Sequence, residues 1–469
     1  MYGLLLFILC VLLLVGGYFL YSRIAEKIYG FDTSMKMPCE QQGDGVDYVA
    51  MPTWRVFLIQ LLNIAGLGPV IGALSGCLFG PVSLLWIVLG CILAGAVHDF
   101  MAAMASAEHG GENLPEFIGS QLGKSAHMVM RVLCIVLMLL VGVVFTVGPA
   151  KMLEELIVFI PMSGWCLIIL LYYFLATVLP IDVIIGKIYP VFGALFLCMA
   201  VSIAIALPFS GYEVLPAMNF FENMHPQNLS VWPMLFVTIA CGAISGFHAT
   251  QSPMMVRCLS SAKNMRPVFY GAMIAEGVVA LIWAVAGMTL REVIITVEAT
   301  NAINMICSLL LGPVGAVLAI LGVVVLPITS GDTAMRCCRL MVADVLKIQQ
   351  RRKVNRLMLA LPLFLAVIAI TNFDFKVIWR YFGWANQTLA CFTLWAVSVL
   401  LKTRGRFHWI ISLPAYFMTN VCICFLLCSP DCHELLSVEC ATVISLIISS
   451  ALFILFLFRI KSRREKLSC

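Results

Sequence analysis

Apolar stretches of roughly 17 to 25 residues, the length a helix needs to cross the hydrocarbon core of a bilayer, recur along this chain from Gly3–Leu20 onward. That feature leaves few folds open. Inside lipid every backbone N–H and C=O must be paired within the protein, so spanning segments are helices or closed barrels. The short alternating segments of a barrel are not the pattern of this sequence. Hydrophobic residues make up 62% and charged residues 11%, with a mean hydropathy of +1.03. A soluble domain carries roughly 25% charged residues. The chain is therefore expected to be an all-α polytopic membrane protein.

Thirteen spans are expected, at 2–21, 54–78, 82–105, 128–148, 162–180, 188–208, 232–256, 269–290, 312–334, 355–371, 385–401, 409–427 and 441–459. Basic residues test that count. The loops after the odd-numbered spans, with Arg55 and Arg131 at adjoining span ends, hold 25 of the 29 Lys and Arg. Lys151, Arg291, Lys376 and Arg380 fall on the other side. The positive-inside rule then puts the N-terminus outside and the C-terminus in the cytoplasm. The first run lacks a basic flank and a small-x-small cleavage site, so it reads as a retained span rather than a signal peptide. Most of the 19 cysteines lie inside apolar segments, where a thiol behaves as a small hydrophobe. Cys428 and Cys432 of CSPDC are candidates for a disulfide, and no cluster has zinc spacing. The basic stretch KIQQRRKVNR reads as a cytoplasmic loop near anionic headgroups rather than a nucleic-acid site.

Two spans carry residues that a membrane helix should avoid. One contains IAGLGPVIGALSG, the other CGAISGFHATQSP. In a helix interior glycine costs about 1 kcal/mol and proline about 3 kcal/mol relative to alanine. Gly68, Gly72 and Gly76 are spaced by four, as are Gly242 and Gly246, a pattern that also serves close helix packing. The positions favour a second use. Each segment begins a set of five spans, 54–208 and 232–401, and an odd number makes two serial sets opposite in orientation. Interrupted helices at corresponding places of inverted halves point to the central site of a transporter. The expected organisation is an N-terminal span and loop (1–53), a first five-helix repeat (54–208), an extracytoplasmic loop (209–231), a second, inverted repeat (232–401), and two C-terminal spans with a basic tail (402–469).

The stretches IAGLGPVIGA, LAGAVHDF, IACGAISGFHATQSP, GDTAMRCCRLMVAD and FGWANQTLA, in that order between about Arg55 and Leu401, resemble the carbon starvation protein A family of inner-membrane transporters. Where better-known members carry a His-His pair, this chain reads Ile59-Gln60; it also lacks additional segments of the larger members, as a compact subfamily would. The resemblance implies residence in a bacterial inner membrane and import of small carboxylates such as pyruvate, or of short peptides, driven by an ion gradient. It also implies kinship with amino acid–polyamine–organocation transporters, built on a five-plus-five core of the LeuT type with two broken helices. In that related fold a sodium ion lies between the first core helix and two adjacent hydroxyls of the eighth. Here those map to the carbonyl region of Ala65 and to Thr329 and Ser330, with Asp332 following, either part of the site or a partner of Arg336. A Ser/Thr turn at a helix end is the plainer reading.

Proton coupling competes with sodium. Ionisable groups within spans are rare and usually functional; the candidates are His98, Asp99, His248 and Glu276. Structural hydrogen bonds would also account for His98, Asp99 and His248, and Glu276 could snorkel or pair with a base. For an organic anion, exposed amides around Gly66, Gly68, Gly242 and Gly246 suit a carboxylate. Ser245, Thr250 and Gln251 are candidate side-chain contacts, with Asn386 and Gln387 gating or lining the path. No organic cofactor is expected; the partners are the lipid bilayer and the small-molecule substrate, with Na+ or H+ as coupling ion. An intramembrane protease or a channel is the alternative. TSGD at Thr329–Asp332 approaches an aspartyl-protease motif but lacks its first glycine.

Overall fold

Each apolar run closes into a helix because a backbone in lipid has no water to bond. The structure, a computed structural model, describes residues 2–179, 185–216, 219–373, 375–429 and 436–467. In chain order the helices are α1 (Tyr2–Tyr29), α2 (Pro38–Gln42), α3 (Thr53–Ala65), α4 (Gly68–Phe79), α5 (Val82–Glu108), α6 (Leu114–Leu122), α7 (Lys124–Leu156), α8 (Met162–Val178) and α9 (Ile185–Phe209). There follow α10 (Val231–Thr238), α11 (Gly246–Val256), α12 (Ala262–Thr289), α13 (Arg291–Ile294), α14 (Ala299–Leu346), α15 (Lys353–Ile370), α16 (Phe375–Thr403), α17 (Trp409–Cys428) and α18 (Val438–Leu467).

Among the described residues, 11 helices are long and apolar enough to cross a membrane, or 12 if the bent pair α3 and α4 forms one span. The expected thirteen differ from this in identifiable places. Helix α8 has only 17 residues, and the expected span 232–256 is two short helices, α10 and α11. Conversely, α14 supplies two candidate spans, Ala299–Val317 and Ala319–Leu346, where one was expected at 312–334. Gly312, at φ 68°, turns the chain just before Pro313, and the 299–311 segment ahead of it is helical. Its polar start, ATNAIN, reads as loop in the sequence. Cys432 of the expected disulfide lies outside the described residues.

The interior is built around α14, which packs on α7 and α9, and around α11, which packs on α5, α16 and α3. Helices α1 and α18 lie at the edge with Leu5, Leu12, Ile447 and Leu455 exposed. Such faces are what lipid covers. The result is a multi-pass membrane protein in which the two interrupted segments meet at the centre.

Candidate functional site

The first break is local in cause. Helix α3 ends where Gly66 takes φ 40° and ψ −151°, a conformation only glycine adopts without strain. The chain bends by 51° before α4 resumes at Gly68 and Pro69. Proline fits a first helical turn because its missing N–H would be unpaired there anyway. The second break runs from Thr238 to Gly246, with Gly242 at φ 88°.

The two breaks touch. A Cβ on Gly68 would lie 2.4 Å from Cys241 Sγ, one on Gly72 would lie 3.0 Å from the Thr238 carbonyl, and one on Gly76 would lie 2.2 Å from Ile239 Cγ1. The four-residue glycine spacing thus seats α4 against 238–241, so packing and interruption are both real. Gly242 faces Ala280, and Gly246 lies against the Asn386 carbonyl and the Ala390 amide. Neighbouring residues of α16 bond the opened backbone from both sides. The Phe247 N–H donates to Asn386 Oδ1 at 2.6 Å, as does Ser245 Oγ at 3.1 Å. Gln387 Nε2 donates to the Phe236 carbonyl near the end of α10, at 3.3 Å. Asn386 and Gln387 therefore staple the two halves of the broken helix, a task that helix ends in lipid require.

Four ionisable groups converge beside this break. His98 Nδ1 lies 2.8 Å from Asp99 Oδ1, and His248 Nδ1 lies 2.9 Å from Asp99 Oδ2. On its other side, His248 Nε2 faces Glu276 Oε2 at 3.5 Å. All four side chains are fully buried. An ionised carboxylate only accepts, so with Asp99 ionised the two Nδ1 atoms that face it are the donors. His248 thereby links two carboxylates from α5 and α12. Glu276 does not snorkel; both its oxygens are buried, and Oε2 faces the imidazole. Cys241 Sγ, His248 and Glu276 are also the described set close enough to hold a metal ion, with donor atoms within 4.8 Å of one another.

Thr329 and Ser330 meet α3 as a pair. Their hydroxyl oxygens lie 3.2 and 3.0 Å from the Leu62 carbonyl, three residues before Ala65, where α3 ends, and 2.8 and 3.0 Å from the Leu326 carbonyl of their own helix. Ser330 Oγ also lies 3.4 Å from where a Gly66 Cβ would stand. Asp332 does not turn to Arg336. It accepts from the phenols of Tyr172, at 2.5 Å, and Tyr189, at 2.9 Å. Tyr189 OH also lies 3.2 Å from Asn63 Oδ1. The sequence holds no signal for these tyrosines. Thr250 and Gln251 lie further along α11, bonded to each other at 2.9 Å and set beside Met138 of α7 and Cys337 of α14. They are not at the break itself. Gln60 is fully buried with neither amide atom bonded among the described residues.

Arg336 belongs to a different cluster, which the sequence reading missed. Asp47, in the loop before α3, accepts from Arg336 Nη1 at 2.8 Å, and from Arg339 Nη2 at 3.3 Å. Burial alone pushes the Asp47 carboxyl up, but the Arg339 and Arg336 guanidiniums outweigh it and hold it at about 2. Arg336, Arg339 and Arg356 are each at most 1% exposed. Of the basic run expected near lipid headgroups, Arg356 thus turns inward, while Lys347, Arg351, Arg352 and Lys353 remain exposed. An arginine at a helix end looks the same in sequence whether it faces headgroups or protein.

Comparison with known proteins gives this architecture a lineage. The carbon starvation protein CstA family matches residues 2–158, 149–308 and 295–424. A membrane protein of Haemophilus influenzae is 42% identical over 337 residues, covering 61% of this chain and 91% of its own. The peptide transporter CstA of Campylobacter jejuni is 28% identical over 332 residues, covering 57% of this chain and 47% of its own. The pyruvate/proton symporter BtsT of Escherichia coli is 27% identical over 338 residues, covering 56% and 46%. The chain thus spans about half the length of those two named transporters. A manganese transporter of Eremococcus coleocola shares the fold with a TM-score of 0.54 at 13% identity, over 90% of this chain and 99% of that one. A transporter architecture with two touching breaks, and a family match that runs through nearly every helix, lead to one assignment: the chain belongs to the carbon starvation protein CstA family.

Proposed function

We propose that the protein is a proton-coupled secondary transporter that imports small carboxylates such as pyruvate, or short peptides, by alternating access. The observation that carries this reading is the buried chain His98–Asp99–His248–Glu276, which ends beside the second break. Ionisable groups at membrane depth that pair with one another mark proton relays. The names of two relatives, a peptide transporter and a pyruvate/proton symporter, agree with it. In this reading α3/α4 and α10/α11 are the broken leading helices of two inverted five-helix sets, within thirteen spans. The N-terminus faces outward and the C-terminus the cytoplasm, across a bacterial inner membrane. The substrate carboxylate binds amides freed at Gly66, Gly68, Gly242 and Gly246, with Ser245 beside them and Thr250 and Gln251 further along the path. Asp332 serves the scaffold through its two tyrosines rather than as half of a protease dyad.

A sodium-coupled variant is favoured by one observation, the convergence of the Thr329 and Ser330 hydroxyls on the Leu62 carbonyl. Uptake into proteoliposomes, with proton and sodium gradients imposed separately across a panel of carboxylates and peptides, tests both. Proton-driven accumulation is expected, and Glu276→Gln should abolish it. Accumulation driven by sodium alone, and lost in Thr329→Ala/Ser330→Ala, would transfer the coupling to the hydroxyl pair. No accumulation of either substrate class would sink the proposal.

A further inference from the structure

The loop from 43 to 52 carries one carboxylate into a nest of guanidiniums. Asp44 Oδ1 accepts from the N–H groups of Val46, Asp47 and Tyr48 at 2.8, 3.0 and 2.9 Å. This tight turn aims Asp47 inward. A few residues later the Met51 N–H donates to the Cys258 carbonyl at 3.0 Å, just past the end of α11. At Thr53 the chain enters α3. One short loop therefore ties both broken helices to Arg336 and Arg339 of α14.

The donors in the nest outnumber what Asp47 can bond. Arg336 Nη2 reaches the carbonyls of Ala176 and Leu179, and Arg339 Nη1 reaches Gln350. Yet Arg336 Nε, Arg339 Nε, and both Nε and Nη1 of Arg356 are buried without a partner among the described residues. Arg356 lies within electrostatic reach of both Asp47 and Arg336. Guanidinium does not lose its proton in proteins, so this surplus charge cannot be shed by titration. Its planar donor fork matches a carboxylate in two-point geometry.

We propose that Arg336, Arg339 and Arg356 form a carboxylate-binding site that Asp47 fills in this conformation, and that a carboxylate substrate exchanges with Asp47 there as it leaves the transport path. The site stands on the geometry alone; the identity of the exchanging ligand rests on the substrate class proposed above. One carboxylate replaces another, so the buried charge count is conserved while the loop is released. Movement of both broken helices is thereby tied to the presence of an anion.

The test uses the full-length protein in detergent and an Asp47→Ala variant, which removes the resident carboxylate and leaves its space. Thermal midpoints are compared in chloride and in acetate at equal ionic strength, each with and without phosphatidylglycerol. Acetate should raise the variant's midpoint by about 5 °C over chloride, leave the wild type unchanged, and lose its effect when Arg339→Gln is added. Equal responses in wild type and variant would overturn the site, as would recovery by phosphatidylglycerol but not acetate. Should the variant unfold in chloride, preparation in acetate supplies the same comparison, and failure to fold there also overturns it. For the exchange step, the internal pyruvate concentration giving half-maximal counterflow should fall about tenfold in Asp47→Ala, equivalent to one pK unit of lost competition. An unchanged value removes the exchange. A protein that transports no carboxylate leaves the acetate result standing, so the two ideas fail separately.

Discussion

The buried charge cluster beside the second break and the one at the loop before α3 solve the same problem in opposite ways. Beside the second break, two imidazoles alternate with two carboxylates, side-chain types that carry charge in only one of their protonation states. At the loop before α3, one carboxylate faces guanidiniums that cannot. In the proposed relay, the first cluster would adjust its charge where it stands. The second keeps its charge and must answer with a counter-ion, here Asp47. Burial of an unpaired charge is costly, so a cluster of neutralisable groups suits proton movement, whereas a cluster of permanent charges suits the capture or exchange of an anion.

Removal of a partner should separate the clusters most sharply. Asp47→Ala strands permanent charges, and the expected loss is about 3–5 kcal/mol of stability, read as a lowered thermal midpoint in chloride. Glu276→Gln leaves His248 free to become neutral, so its midpoint should move far less; similar losses in both would erase the distinction.

Acid provides the next largest effect. Asp47 is held at about 2, below the ordinary carboxylate value. Its contribution is therefore present above the unfolded value of about 3.9 and lost as pH falls through about 2. The stability gap between wild type and Asp47→Asn should be about 2–3 kcal/mol at neutral pH and close between pH 4 and pH 2. A gap independent of pH would mean that shape, not charge, holds the loop.

In the first cluster, His248→Gln removes hydrogen bonds to charged groups worth about 1.5–3 kcal/mol each. Proton-driven uptake in proteoliposomes should fall by about 10- to 100-fold, and the pH profile of any residual uptake should flatten. An unaltered profile with full activity would leave His248 as a structural donor. The smallest expected effect concerns the staple that holds the break beside the relay. Asn386→Ala deletes the acceptor for the Phe247 N–H, a cap worth about 1 kcal/mol. Its thermal midpoint should drop by a few degrees, with uptake reduced in proportion to the folded fraction.

Much of the scaffold is legible in the sequence. The breaks at Gly66 and Gly242 announce themselves as glycines and a proline in mid-span, and the structure gives both glycines positive φ. His98, Asp99, His248 and Glu276 stand out singly because ionisable groups inside apolar runs are rare. Their union was not legible. His248 and Asp99 are 149 positions apart, and no periodicity links residues on helices that meet only through packing. Asp47 left no trace at all, since one acid in a polar loop has no pattern to break. The helical segment before Gly312 was missed for a related reason, because its polar first turn resembles a loop.

What local chain chemistry settled is the class of the molecule: helices that span lipid, and two places where a helix cannot continue. These follow from apolar length and from backbone preferences, which act within a few residues of themselves. Which buried groups share protons, which residues staple the opened backbone, and which carboxylate answers the arginines depend on the crossing of α4 with 238–241 and on the packing of α14. Side chains bond to their neighbours in space, and in a bundle of long helices those neighbours come from distant parts of the chain.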